Sequence, residues 1–148
     1  MKKVLLFVVL IFIGVILFYI TNDSYRMSLE AGYYYKKGDY EKAYELAKKA
    51  YKLQKYNNMA FTIMTQSKIA EQWADYLEES NKYFAYIEKV SSKNSISKQE
   101  KIRIKLMLEI LINRYPYLIS SKLLDENLYK KVLENRFKAE EIYDRVFK

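Results

Sequence analysis

The most restrictive feature of the sequence is the stretch of residues 4–20, which contains no charged side chain. As an α-helix its 17 residues would extend about 25 Å, near the lower limit for crossing a bilayer. Three interpretations are open: an uncleaved signal anchor, a cleaved signal peptide, and a buried helix. No Ala-x-Ala cleavage pattern precedes residue 22, and no side of the stretch is polar enough to face water. We therefore predict an uncleaved transmembrane anchor over residues 1–23.

The charges beside this stretch predict its orientation. Lys2 and Lys3 precede it, and positive charge favours the cytoplasmic side of a membrane. The opposite flank has little basic excess, so we expect a single-pass cell-membrane protein with residues 24–148 outside the cytoplasm. Tyr19 and Tyr25 would lie at the far interface, where tyrosine rings are favoured. A lipoprotein is excluded because the chain has no Cys to carry the lipid.

The rest of the chain is almost free of helix breakers, with 3 Gly and 1 Pro in all 148 residues, which predicts an all-α fold. Gly38 and Asp39 separate two segments in which small and aromatic residues recur at spacings of three and four. We expect Gly38 to end the first helix in the left-handed conformation and Asp39 to cap the second. The residues predicted to pack this hairpin are Ala31, Tyr34, Gly38, Ala43 and Ala50.

The run Gly38-Asp39-Tyr40-Glu41-Lys42-Ala43, with Ala31 and Tyr34 before it and Ala50 after it, resembles a tetratricopeptide (TPR) repeat. The alternative is an unrelated helical hairpin. Two repeats counted from residue 24 would end at residue 91. The second is degenerate: Lys68 replaces an aromatic residue and no Gly-Asp pair lies near Gln72, so residues 59–90 form either a second hairpin or one long helix.

Residues 92–148 are predicted to form a C-terminal helical region that packs on this array. Ser97 and Glu100 have the spacing of a capping box, which starts a helix that runs to about Asn113. Apolar residues cover most of its circumference, so we expect it to be the most buried element outside the membrane. Pro116 ends it, and Asp125 opens a last helix whose predicted apolar side holds Leu128, Val132, Leu133, Phe137, Ile142, Val146 and Phe147.

The composition excludes several kinds of catalytic site. With no Cys and no His, thiol catalysis, Cys/His zinc sites and imidazole bases are ruled out, and no Gly-rich loop could hold phosphate. Adjacent carboxylates diverge by about 100° on a helix and cannot share a site, so Glu78-Glu79 and Glu140-Glu141 are expected to be solvated. A Ser-Lys dyad stays open as an alternative, but Ser120-Ser121-Lys122 has no glycine-containing loop to set one up. We predict no catalytic residue, cofactor or metal.

The formal net charge of +8 is concentrated in the C-terminal part but spread along its helices. A nucleic-acid partner is therefore disfavoured, particularly outside the cytoplasm. The TPR resemblance instead implies protein partners, which such arrays bind on the concave side of the first helix in each pair. By that resemblance the partner-binding residues are Tyr25, Ser28, Tyr35, Lys36, Met59, Thr62, Gln66 and Ile69. The alternative is that these side chains pack on the C-terminal helices.

The expected function is that of a non-enzymatic, membrane-anchored scaffold or adaptor within a cell-envelope complex. A permanent structural subunit of a larger membrane assembly is the alternative, and an unrecognised membrane-bound hydrolase is a distant one. An open concave surface on the array would favour transient recruitment, and a flat exposed apolar patch would favour a permanent subunit.

Overall fold

In the computed structural model, residues 2–148 are described, apart from the side chains of Lys2, Lys3 and Ile20. This part of the chain forms six α-helices and contains no strand, which confirms the all-α prediction. The helices are α1 (Lys2–Thr21), α2 (Asp23–Lys36), α3 (Tyr40–Leu53), α4 (Asn58–Ser91), α5 (Lys98–Arg114) and α6 (Glu126–Phe147). A short 3₁₀ turn, Tyr115–Tyr117, follows α5 and contains the chain's single proline.

The chain divides into two compact units, Met1–Lys68 and Ile69–Lys148. In the first unit α2 and α3 form a hairpin around the turn at Gly38, whose φ of +82° is the left-handed conformation expected there. The Asp39 side chain accepts a hydrogen bond of 3.2 Å from the amide of Lys42 and so caps α3. The seam between the helices is made of alanines with no exposed surface: Ala31, Ala43, Ala47 and Ala50.

Residues 58–91 form one uninterrupted helix of 34 residues, so the expected second hairpin within residues 24–91 is wrong and the single-helix alternative is correct. The physical reason lies in the sequence near Gln72. No Gly, Pro or Asn is present there to end a helix, and the residues around it are good helix formers. The helix continues through the boundary between the two units.

The second unit is built from the C-terminal part of α4 together with α5 and α6. Trp73 is 2% exposed, and its indole nitrogen donates a hydrogen bond of 2.8 Å to the carbonyl of Ile119. Tyr76 donates in the same way to the carbonyl of Leu111, at 3.2 Å. The predicted capping box of α5 is confirmed, since Ser97 and Glu100 bond each other's backbone amides. Buried apolar residues complete the core: Phe84, Ile87, Val90, Ile104, Leu108, Leu111, Leu128, Val132 and Ala139.

The prediction that α5 is the most buried element is wrong. Only one side of this helix is covered, and it carries Ile104, Leu108 and Leu111. On the other side Ile102, Leu106 and Ile110 are 51%, 54% and 45% exposed. The predicted apolar side of α6 is wrong in two places, because Phe137 and Val146 are also exposed. Apolar residues on all sides of a helix do not say how many neighbours that helix has.

Candidate functional site

The most unusual surface in the first unit belongs to α1. Its apolar side chains from Val4 to Phe18 are 41–67% exposed, so no other part of the described chain covers them. Within the described residues no single helix is both long and apolar enough to count as a membrane span, although Val4–Tyr19 and Asp23–Lys36 pass as a pair bent by 83°.

An aromatic cluster joins α1 to α2. The ring of Tyr25 lies 5.5 Å from that of Phe18 and 5.2 Å from that of Tyr19, measured between centroids. Phe18 and Tyr19 also contact each other edge to face, at 5.9 Å. Such pairs contribute on the order of 1 kcal/mol beyond the area that they bury. Tyr25, predicted to bind a partner, therefore packs against the end of α1.

Behind this junction lies a buried polar cluster that the sequence interpretation missed. The side-chain amide of Asn57 donates hydrogen bonds of 2.9 Å to the hydroxyls of both Ser24 and Ser28. Ser24 in turn donates to the carbonyl of Ala50 at 2.8 Å, and Ser28 to that of Ser24 at 2.9 Å. The side-chain oxygen Oδ1 of Asn57 accepts a hydrogen bond of 3.1 Å from the amide of Ala60 and so caps α4. One signal was available: two serines four residues apart, and an Asn before a helix.

The α2 residues assigned to a concave binding surface occupy different environments. Ser28 is fully buried in the polar cluster, so its assignment to an open surface is wrong. Gly32 faces α4, since a Cβ added to this residue would lie 3.5 Å from Cδ1 of Ile63. The Tyr35 ring packs on that of Tyr40 at 5.5 Å, next to the hairpin turn. Lys36 is exposed.

The α4 residues of the same predicted surface are also divided. Thr62 is exposed, whereas Met59 and Gln66 are half-buried on the same helix. Ile69 is half-buried and belongs to the second unit. The predicted set thus contains exposed, partly covered and buried positions, because α4 packs along the side of α2 that the TPR resemblance assigns to a partner.

Two exposed surfaces were not predicted. On α2, Leu29 and Tyr33 are 51% and 53% exposed, and the ammonium group of Lys37 lies 4.5 Å from the centre of the Tyr33 ring. On α5, the exposed residues Ile102, Leu106 and Ile110 follow one another at spacings of four and therefore form a continuous stripe, called here the α5 stripe. Contiguous apolar surface of this kind marks interaction sites more often than isolated exposed residues do.

The carboxylates of the second unit have separate partners. Glu78 pairs with Lys82, and Glu79 pairs with Arg114 and accepts a hydrogen bond of 2.7 Å from the hydroxyl of Tyr83. Glu140 and Glu141 likewise pair with different arginines, Arg136 and Arg145. Neither adjacent pair converges on a common point. Within residues 2–148, no group of three or more acidic side chains is arranged to hold a metal ion.

A cavity of about 500 Å³ opens beside α5 and α6. The Tyr143 hydroxyl donates a hydrogen bond of 3.0 Å to Glu109 at its wall, and Asp144 pairs with Lys148 at 2.7 Å. A second cavity of about 410 Å³ is lined by residues that include Ser120, Ser121 and Lys122, in the connection between α5 and α6. Burial raises the pKa of Tyr76, inside the unit, to about 12.

Comparisons with protein-family models, with curated proteins and with solved structures found no match to this chain.

Proposed function

We propose that the protein is a membrane-anchored interaction module, in which α1 is held in a lipid bilayer and a TPR-like hairpin follows outside the cytoplasm. The exposure of the apolar side chains from Val4 to Phe18 is the observation that carries this proposal. Apolar surface in water costs about 25 cal/mol per Å², so a helix exposed in this way needs an apolar environment. A bilayer supplies that environment without requiring a second protein surface.

The ends of α1 support this proposal. Its apolar part, residues 4–20, extends about 25 Å, near the lower limit for the hydrocarbon thickness of a bilayer. Lys2 and Lys3 precede the apolar stretch, and the cluster of Phe18, Tyr19 and Tyr25 follows it. Cationic residues and tyrosines are both favoured at membrane interfaces, and the basic end is retained in the cytoplasm.

The interaction role is supported by the hairpin and by the α5 stripe. The alanine seam and the left-handed Gly38 are features of a TPR-like pair, whose family binds protein segments. A permanent subunit of a membrane assembly is the second candidate, and the α5 stripe favours it, because contiguous exposed apolar surface marks protein interfaces. Both candidates require a protein partner and differ in how long it stays bound.

Alkaline carbonate washing of membranes that contain the full chain tests the anchor. We expect the chain to stay with the membranes, and the variant L10K/I13K to be released, since two charges in α1 oppose insertion. The control T62K/T65K adds the same charge at exposed positions of α4 and should stay. Release of the unmodified chain would refute the anchor.

A photo-crosslinking residue at Leu106 tests the interaction role, with Lys101 on another side of α5 as the control position. We expect a discrete crosslinked product at Leu106 and none at Lys101. A product that no longer forms when the solubilised membranes are diluted before irradiation supports transient recruitment. A stoichiometric product that still forms after such dilution supports a permanent subunit. No product at Leu106 would argue against the α5 stripe as a binding surface.

A further inference from the structure

One side of α2 is apolar, basic and open to solvent. Leu29 and Tyr33 lie on it one turn apart, and both are about half exposed. Lys36 follows on the same side and is exposed, and the exposed Arg26 and Lys37 lie beside it at an edge that they share with the exposed Glu30. The helix buries its opposite side against α3: Ala31 is fully buried and lies about 200° around the axis from Leu29.

The same side of α2 faces the direction in which α1 extends. The axes of the two helices are bent by 83°, so they are nearly perpendicular. The Tyr25 ring, one turn before Leu29, packs on Phe18 and Tyr19, which shows that α1 leaves α2 on the side that carries Tyr25 and Leu29. If α1 crosses a bilayer, α2 therefore lies almost parallel to the membrane surface, with Leu29 and Tyr33 turned toward it.

The loop after α3 adds to this surface. Tyr56 is 89% exposed, and Lys55 beside it is also exposed. Asn57, the next residue, is bonded to Ser24 at the start of α2, so the loop lies beside the point where α1 ends. Tyrosine and lysine side chains place an apolar body in the acyl boundary and a polar tip among the headgroups, which suits them to a lipid interface.

We propose that the surface formed by Leu29, Tyr33 and Lys36, together with Lys55 and Tyr56, lies on a bilayer containing anionic phospholipid. This inference rests on the proposed anchor and extends it: the domain is held flat on the membrane by a second contact. The basic residues Arg26, Lys36 and Lys37 bind headgroup phosphates while Leu29 and Tyr33 enter the interface. The charge of Arg26 is shared with Asp23, at 2.7 Å, so Lys36 and Lys37 contribute most of the attraction.

The test uses the absence of cysteine from the chain, because any introduced Cys is a unique labelling site. The full-length variants L29C, Y33C, K49C and L10C each carry an environment-sensitive fluorophore. They are placed in vesicles of phosphatidylcholine with phosphatidylglycerol, some of which contain lipid spin-labelled at the headgroup. Lys49 is the matched control, since it is exposed on α3, which packs on the side of α2 opposite Leu29. Circular dichroism verifies that each variant keeps its helix content.

We expect blue-shifted emission at Leu29 and Tyr33, with several-fold stronger headgroup quenching than at Lys49. Adding K36E/K37E should reduce that quenching in vesicles with phosphatidylglycerol and change it little in phosphatidylcholine alone. Quenching at Leu29 and Tyr33 as weak as at Lys49, with the Leu10 probe deep in the bilayer, would overturn the surface contact and leave the anchor intact. Blue-shifted but unquenched probes would mean that protein covers the surface, which also overturns it. A Leu10 probe in water would refute the anchor and this contact together.

Discussion

The side-chain amide of Asn57 donates a hydrogen bond of 2.9 Å to the hydroxyl of Ser24, and so connects the start of α4 to the start of α2. Both residues are buried, and the Ser24 hydroxyl also donates a hydrogen bond to the carbonyl of Ala50, which links the cluster to α3. A buried polar group without partners is costly, so this cluster favours a single arrangement of the three helices over alternatives that would break it.

Replacing Asn57 with Ala should destabilise the first unit by about 2–4 kcal/mol. The variant loses the cap on the amide of Ala60 and two hydrogen bonds to serine hydroxyls, each worth about 1 kcal/mol. Chemical denaturation of the full chain in detergent, followed by circular dichroism, measures the change. N58A, at the exposed neighbouring asparagine, is the control and should stay within about 0.5 kcal/mol. Equal losses in the two variants would contradict the role given to the buried cluster.

Replacing two buried serines of α4 with Ala should change the stability of the protein in opposite directions. The Ser67 hydroxyl is buried and has no hydrogen-bond partner among the described residues, so S67A should stabilise the protein by about 1 kcal/mol. The Ser80 hydroxyl donates to the carbonyl of Leu77 and accepts from Asn135 at 2.6 Å, so S80A should destabilise by about 1–2 kcal/mol. The measurement is the midpoint of chemical denaturation for each variant. A loss of stability in S67A would show that its hydroxyl is bonded in solution.

The local elements were predictable because each has a local cause. Gly38 and Asp39 form a turn and a cap, and Ser97 and Glu100 form a capping box, since these residues satisfy backbone groups within their own segments. The alanine spacing on α3 indicates a close approach to another helix, which is why the sequence alone predicts that Ala43 lies in a seam.

What could not be predicted depends on contacts between distant segments. The position of α4 along α2 buries Ser28 and covers Gly32, and nothing in either segment alone specifies this position. The exposure of Leu106 on α5 has the same origin, because a helix that is apolar on all sides does not reveal which side is covered. The long α4 was one of two alternatives, and the missing Gly-Asp pair near Gln72 was the signal in its favour.

Replacing two glycines of the hairpin with Ala should also change its stability in opposite directions. Gly38 has a φ of +82°, so G38A should destabilise by about 1–2 kcal/mol even though a Cβ would meet no neighbour there. Gly32 is helical, and a Cβ would make an ordinary contact of 3.5 Å with Ile63, so G32A should stabilise by about 0.5–1 kcal/mol. Thermal unfolding of both variants in the same detergent gives the comparison. A destabilised G32A would mean that α2 and α4 approach more closely than this contact allows.

The stability of the second unit should depend on pH through Glu100. Its pKa is lowered from 4.5 to about 2 by the hydrogen bond from Lys93 and by those from the amide and hydroxyl of Ser97. A carboxyl whose folded pKa is lowered contributes stability above its unfolded pKa and loses that contribution as pH falls through the folded pKa. The capping box of α5 should therefore weaken between pH 4.5 and about pH 2.

The fluorescence of Trp73, the single Trp of the chain and buried in the second unit, reports its unfolding in this pH range. In E100Q the side chain no longer titrates, so we expect the unfolding midpoint to fall at neutral pH and to change less on acidification than in the unmodified chain. E134Q removes one exposed carboxyl of α6 and should keep the pH dependence of the unmodified chain. If E100Q and E134Q respond to acid in the same way, the carboxylate of Glu100 does not hold the start of α5, and the cap depends on the Ser97 hydroxyl alone.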